Sequence, residues 1–157
     1  MNVVARPLTE LVMKREIAAS REHVFAAWTD VAKASHWWAP RGFATLSCEM
    51  DVRPGGAWRR RMRAPDGALI TKYGIYREIV APERLVFTYN TDGGGIDDPE
   101  TLVTVILADL GGRTRLTLSH TLFETDAQRR DHEGGWTGCL DRFAAFIAGI
   151  TRNSPEN

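Results

Sequence analysis

The chain has 157 residues, of which 43% are hydrophobic, and it carries 20 basic and 20 acidic side chains. This length supports one domain with a sizeable core and is too short for two ordinary domains. A formal net charge of zero gives no global field that would attract nucleic acid or an anionic membrane surface, so neither is expected as a partner.

The lack of a recognisable targeting signal and the use of cysteine together predict a cytoplasmic protein. No apolar run approaches the roughly 20 residues of a membrane span, and no basic-then-apolar signal segment opens the chain. Cys48 and Cys139 are isolated thiols without a CxxC partner, and each lies among core-like residues. This pattern favours reduced, buried cysteines over a disulfide or a metal pair.

The first predicted elements are one strand and two short helices. Residues 11–18 form a strand candidate. Ser20 is a suitable N-cap for a helix whose apolar face carries Val24, Phe25 and Trp28. Asp30 is placed to cap a second helix, which must end before Pro40 because the residue preceding a proline disfavours the helical conformation.

Six further strands, joined by tight turns, are predicted from residue 43 to residue 122. Strands connected in this way are antiparallel neighbours, and their sheet has one dry face that needs a cover. The longest predicted loop covers residues 91–99, whose aspartates do not match the spacing of a calcium-binding EF-hand and favour a solvated hairpin loop. The six predicted strands cover residues 43–52, 57–63, 69–79, 85–89, 101–108 and 114–122.

A long C-terminal helix is predicted from Thr125 to Gly149 and supplies that cover. Thr125 and Gln128 have the spacing of a capping box, and Gly149 is a candidate left-handed terminating residue. The pair Gly134-Gly135 indicates either a bend or a close approach of another segment. The apolar stripe of this helix consists of Trp136, Cys139, Leu140, Phe143, Phe146, Ile147 and Ile150.

Five motifs in order resemble the START-like (SRPBCC, helix-grip) superfamily, and within it the branch of heat-shock protein 90 ATPase activator homologues. The resemblance covers roughly residues 11–150, and the combination is more specific than any single motif. The motifs are Trp37-Trp38-Ala39-Pro40, Asp51-Val52-Arg53-Pro54-Gly55-Gly56, Pro65-Asp66-Gly67, Pro82-Glu83-Arg84-Leu85 and Gly135-Trp136.

The resemblance implies an α+β helix-grip fold. In this fold a seven-stranded antiparallel sheet curves around the long C-terminal helix, two short helices lie between strands 1 and 2, and a cavity separates sheet and helix. Residues 1–157 are accordingly expected to form a single START-like domain, with an ordered core over about 10–150 and a polar tail over 151–157. Family members bind apolar or amphipathic small molecules, and a few relatives catalyse cyclisation or related chemistry.

The name of the branch also suggests a co-chaperone. The eukaryotic activator resembles this chain only in its C-terminal domain, and a separate N-terminal domain engages the chaperone. This chain is expected to have no room for that second domain, so activation of a chaperone ATPase is the alternative and not the first choice.

Strand alternation selects the polar side chains that should face the helix. Arg60 alternates with Trp58 and Met62, His120 lies in line with Leu116, Leu118 and Leu122, and Tyr76 is expected to share a face with Glu78. Taken singly, each of these polar groups is more often a core residue whose hydrogen bonds are satisfied by its neighbours. The predicted ligand-contacting residues are Trp38, Trp58, Arg60, Tyr76, Glu78, His120, Trp136, Leu140 and Phe143.

Three functions remain open on the sequence alone. A binding module is favoured because no Ser-His-Asp spacing, nucleotide-binding glycine loop or HExxH metal motif occurs. A cyclase or lyase would need Arg60, His120 and a tyrosine ordered around one reactive atom. A co-chaperone would need an exposed docking surface. No catalytic residue, cofactor or metal is predicted, and the expected partner is a small apolar ligand, with a homodimer and a chaperone partner left open. His132 and Arg129 are expected at the rim of the cavity.

Overall fold

The computed structural model describes residues 10–93 and 96–153, with side chains described for 10–93 and 99–149. The predicted α+β fold is confirmed, with seven antiparallel strands, two short helices after the first strand and a long C-terminal helix. The elements are β1 Leu11–Ile17, α1 Arg21–Thr29, α2 Val31–Trp37, β2 Ala44–Met50, β3 Ala57–Arg63, β4 Leu69–Val80, β5 Arg84–Gly93, β6 Ile96–Asp109, β7 Thr114–Thr121 and α3 Asp126–Asn153.

The strands form one sheet in the order β1-β7-β6-β5-β4-β3-β2. The first strand therefore pairs with the last, and β2 lies at the opposite edge. The inner face of this sheet, α1, α2 and the apolar stripe of α3 enclose the main core. Five of the predicted stripe residues are buried, Phe146 is partly buried, and the side chain of Ile150 lies outside the described residues; the buried ones are Trp136, Cys139, Leu140, Phe143 and Ile147.

The predicted helix starts are confirmed by hydrogen bonds at their caps. The side chains of Ser20 and Asp30 accept backbone N–H bonds at the starts of α1 and α2. Before α3, the N–H of Gln128 donates to Thr125 Oγ1 at 3.1 Å, and Gln128 Oε1 accepts from the Thr125 N–H at 3.3 Å. This reciprocal pair is a capping box, which satisfies donors that the helix itself cannot use.

The predicted end of α3 is wrong. Gly149 keeps a backbone outside the left-handed region, and the helix continues to Asn153. The close approach expected near Gly134 occurs one turn later, at Gly138, where an added Cβ would lie 2.8 Å from the backbone nitrogen of Arg41. By contrast, a Cβ on Gly134 would meet nothing within 4 Å.

Bulges explain two wrong predictions about side-chain direction. Alternation over residues 43–52 predicts Leu46 on one face with Cys48, Met50 and Val52. The register of β2 shifts between residues 45 and 47, so Leu46 is instead 50% exposed and does not join the inner face. The register of β4 shifts between residues 76 and 78, which places Glu78 on the exposed side, where it pairs with Arg84. An extra residue reverses strand alternation, so Glu78 cannot share the inner face with Tyr76.

Two further predictions are corrected near the ends of strands. Leu122 follows the last residue of β7, has φ 75° and is 61% exposed, so it does not extend the inner row of that strand. The predicted loop over 91–99 is shorter, because Thr91 pairs with Asp98 and Gly93 with Ile96 in a continued β5–β6 ladder. Residues 94–95 and the tail residues 154–157 lie outside the described residues.

Candidate functional site

A pocket of about 440 Å³ lies between the N-terminal half of α3, the α2–β2 connection and the inner face of β3, β4 and β5. This volume is within the range of small-molecule sites, about 300–1,000 Å³. The lining residues are Pro40, Arg41, Phe43, Met62, Ile70, Lys72, Tyr89, Arg130, Asp131, His132, Gly134, Gly135, Trp136 and Cys139.

The α2–β2 connection is held against α3 by contacts that the helix makes with the backbone of the connection. Arg142 Nη1 donates to the carbonyl oxygens of Ala39 at 3.2 Å and Pro40 at 3.3 Å. The missing side chain of Gly138 lets the backbone at Arg41 lie directly on the helix. This wall of the pocket is therefore fixed by hydrogen bonds and close packing.

A chain of hydrogen bonds fixes Trp136, the pocket residue contributed by the apolar stripe of α3 together with Cys139. Trp136 Nε1 donates to His120 Nδ1 at 3.0 Å. Because an indole nitrogen only donates, His120 Nδ1 must be the acceptor and the ring proton must be on Nε2. That Nε2–H then donates to Thr101 Oγ1 at 2.7 Å, and the Thr101 hydroxyl donates to the carbonyl oxygen of Tyr89 at 2.7 Å.

His120 is consequently neutral and fully hydrogen-bonded. Its side chain is buried, and burial lowers the pKa of His120 well below its usual value, with the nearby charges of His132 and Lys72 adding to the effect. Both ring nitrogens already have partners, so neither is available to exchange a proton with a ligand. The structure favours a role in which His120 positions Trp136.

Arg60 is buried but its guanidinium is largely unmatched. The residue is 1% exposed, and Nη2 donates to Tyr89 Oη at 3.0 Å. Within the described part of the chain, Nε and Nη1 have no hydrogen-bond acceptor, and no carboxylate forms a salt bridge with Arg60. Its Cζ lies 4.4 Å from the ring centroid of Trp38, a cation–π contact.

The other predicted polar residues do not join Arg60. The Tyr76 hydroxyl is buried without a hydrogen-bond partner among the described residues, and burial raises the pKa of Tyr76. Glu78 lies on the opposite face and cannot neutralise Arg60. Among the described residues, Arg60 therefore has no carboxylate partner.

Of the nine predicted ligand-contacting residues, Trp136 lines the pocket. The other predicted residues do not line the pocket because it opens beside the first half of α3, whereas most of them pack around the middle of that helix. His132 lines the pocket as expected, but Arg129 is held in salt bridges with Asp126 and Glu133. The predicted residues packed in the core are Trp38, Trp58, Tyr76, Leu140 and Phe143, with Arg60 and His120 buried among them.

The sequence prediction missed pocket residues that alternation could have found. Tyr89 follows Leu85 and Phe87 on the inner face of β5, and Lys72 follows Ile70 on the inner face of β4. The contribution of the α2–β2 connection has no such signal, because it depends on how α3 packs against that connection.

Cys139 contributes a thiol to the pocket wall. Burial raises the pKa of Cys139 to about 11, an effect that the charge of Arg60 partly opposes. The thiol is therefore protonated at neutral pH and is a poor nucleophile. Cys48 is also a free thiol, is half-buried and has a raised pKa because of burial.

Two classes of function find no support in the described residues. No group of three His, Cys, Asp or Glu side chains within this part of the chain is arranged to hold a metal ion. None of its helices combines the length and apolar character needed to cross a membrane.

Comparison with known proteins identifies the family. The model of the family described as Activator of Hsp90 ATPase homolog 1-like protein matches residues 18–148. Among solved structures, the AHSA1 protein from Silicibacter pomeroyi is 30% identical, with 88% of this chain and 97% of that chain covered and a TM-score of 0.78. No curated protein matches the chain.

Two further solved structures support the fold. A protein from Chromobacterium violaceum is 26% identical, with 88% of this chain and 96% of that chain covered and a TM-score of 0.78. A protein from Nitrosomonas europaea is 22% identical, with 94% and 99% covered and a TM-score of 0.79; at this identity the likeness concerns the fold alone.

Proposed function

The chain belongs to the family described as Activator of Hsp90 ATPase homolog 1-like protein, and from this premise we propose that it binds a small amphipathic molecule between the sheet and α3. The observation that carries the proposal is the pocket of about 440 Å³. Its walls combine apolar side chains such as Phe43, Met62 and Trp136 with a few polar groups, which is the usual composition of a small-molecule site.

The proposal is binding without a chemical step. His120 has both ring nitrogens occupied, and the Cys139 thiol is protonated at neutral pH. The cyclase or lyase alternative needs a reactive group at the wall, and neither of these side chains supplies one.

A neutral fluorescent probe tests the proposal directly. N-Phenylnaphthylamine gains fluorescence in an apolar site, and we expect it to bind the wild-type protein with a stoichiometry of one. Gly134→Leu should weaken this binding by about tenfold or more, because the new side chain starts from a pocket-lining position where a Cβ meets nothing within 4 Å.

Gly149→Leu is the matched control. It also replaces a glycine of α3 at which a Cβ meets nothing within 4 Å, but Gly149 is not a pocket residue. Both variants should gain up to about 1 kcal/mol of helix stability, so a loss of probe binding confined to Gly134→Leu cannot come from unfolding. Equal probe binding by wild type and both variants would contradict the proposed site.

The family description supports a second candidate, activation of an Hsp90 ATPase. Adding wild type and Gly134→Leu to an Hsp90 ATPase assay separates the two candidates. Stimulation that is the same for both proteins would assign the activity to a surface outside the pocket.

A further inference from the structure

The buried charge of Arg60 is not explained by an apolar pocket alone. Resting on the proposed function, we infer that the bound molecule is a carboxylic acid whose carboxylate accepts hydrogen bonds from the Arg60 donors left free at Nε and Nη1. The ligand class is thus an acid with an apolar body that fills the pocket beside Trp136.

A buried guanidinium without an anion is costly. Moving a charge out of water is unfavourable unless an opposite charge or a full set of hydrogen bonds compensates. Arg60 is 1% exposed, and among the described residues it makes one hydrogen bond, to the Tyr89 hydroxyl. The cation–π contact with Trp38 offsets only part of this cost.

The geometry around Arg60 suits a planar anion. A guanidinium presents five N–H donors in one plane, and Nη2 uses one of them on Tyr89. The Cζ atom of Arg60 lies over the Trp38 ring, 4.4 Å from its centroid, so Trp38 contacts the group without accepting a conventional hydrogen bond from Nε or Nη1. A carboxylate matches this arrangement because its two oxygens lie in one plane and accept from such donors.

Arg60 lies one side chain behind the pocket wall. Tyr89 lines the pocket, and its hydroxyl is 3.0 Å from Arg60 Nη2. Met62, the next inward residue of β3, also lines the pocket, and a methionine side chain changes rotamer at low cost. A shift of Met62 is the step that opens the guanidinium to an acid lying beside Tyr89.

Three basic side chains also line the pocket and are called the rim charges here: Arg41, Lys72 and Arg130. Arg41 pairs with Asp141 and Arg130 pairs with Asp126, so both of these charges are already partly neutralised. Arg41 and Arg130 are exposed and Lys72 is half-buried, whereas Arg60 is 1% exposed. This difference in exposure separates the rim charges from Arg60 experimentally.

The test compares dodecanoate with dodecanol, an acid and an alcohol with the same apolar chain. Each competes with N-phenylnaphthylamine for the wild-type protein, Arg60→Met and the matched pocket variant Lys72→Met. We expect wild type to prefer dodecanoate by about tenfold or more, the difference that one charge-assisted hydrogen-bond pair supplies. Arg60→Met should lose this preference and keep its affinity for dodecanol, while Lys72→Met should retain the preference.

Salt concentration adds a test that needs no variant. A preference set by exposed rim charges falls steeply as the Debye length shortens from about 10 Å at 0.1 M salt to about 3 Å at 1 M, whereas a buried pair is screened much less. We therefore expect the wild-type preference for dodecanoate to persist in high salt.

Arg60→Lys is a second variant, for the case in which Arg60→Met fails to fold. It keeps the positive charge but loses the planar set of guanidinium donors, so it should show an intermediate preference for dodecanoate.

The opposing results are distinct from a failure of the proposed function. Equal affinity of wild type for dodecanoate and dodecanol would overturn the acid-binding role of Arg60 and leave a pocket for uncharged molecules. Loss of the preference in Lys72→Met alone, or its collapse in high salt, would assign charge recognition to the rim instead. If the neutral probe itself does not bind, both the pocket and its acid ligand are wrong.

Discussion

Two buried polar groups on the inner face of the sheet, one centred on His120 and the other on Arg60, are only one side chain apart, yet they are arranged in opposite ways. In the His120 group every donor of the ring, of Trp136 and of Thr101 meets an acceptor. Arg60 shares Tyr89 with that group but leaves Nε and Nη1 without acceptors among the described residues. Burial alone therefore does not distinguish a structural polar group from a ligand-binding one, whereas the match between donors and acceptors does.

The two groups should also respond to substitution with opposite changes in folding stability. Removing a member of a satisfied buried network leaves its partners without hydrogen bonds and costs stability. Removing an unmatched buried charge leaves one partner, the Tyr89 hydroxyl, and relieves a desolvation cost. Substitutions in the two groups should consequently move stability in opposite directions.

The largest expected effect comes from the apolar core on which both groups depend. Phe143 is fully buried and contacts the rings of Trp28 and Trp37. Phe143→Ala should cost about 3–5 kcal/mol, a large part of the stability of an ordinary domain. Urea unfolding followed by tryptophan fluorescence measures this loss.

Phe146→Ala is the comparison for that substitution, because Phe146 lies on the same helix but is only partly buried. It should show a clearly smaller shift in the urea midpoint. A midpoint for Phe143→Ala that equals the wild-type value would contradict the packing of α3 on the sheet.

The next effect contrasts the two polar groups. His120→Phe removes the acceptor of Trp136 Nε1 and the partner of Thr101 Oγ1, and it should cost about 1–3 kcal/mol. Arg60→Met, measured in the same way, should retain or raise the wild-type stability. If Arg60→Met is instead as destabilising as His120→Phe, Arg60 has a structural partner and the contrast between the two groups fails.

Much of the fold was predictable because its signals are local. Capping residues located the starts of all three helices, and alternation located seven strands and the inward direction of Arg60, with Trp58 and Met62 on either side. The resemblance to the helix-grip superfamily supplied the arrangement of sheet and helix. The errors at Leu46 and Glu78 arose at bulges, which add a residue without any distinctive composition.

The candidate site was less predictable because it depends on tertiary packing. Alternation indicates that Arg60 points inward, but not that no carboxylate of the described residues pairs with it; that depends on the bulge that turns Glu78 outward. Likewise, nothing local shows that Gly138 allows the backbone of Arg41 to pack on α3 and close one wall of the pocket. Contacts between segments distant in sequence determine both features.

The smallest effect is a pH dependence that should come from the His120 group and not from Arg60, whose charge does not change in this range. Because burial holds the pKa of His120 well below its usual value, the folded protein leaves the ring neutral at a pH where the unfolded chain, with an ordinary histidine pKa of about 6.5, takes up a proton. The unfolded state then binds more protons than the folded state, so stability must fall as pH falls below about 6.5. Between about pH 7 and about pH 5.5 the expected loss of stability is about 1 kcal/mol.

Urea unfolding at the two pH values measures this loss. His120→Gln is the control, because it removes the titrating ring but keeps a side chain that can donate and accept hydrogen bonds. The wild-type loss should exceed the loss in His120→Gln by that amount, and equal pH dependence in the two proteins would show that His120 is not held neutral by the hydrogen bonds to Trp136 and Thr101.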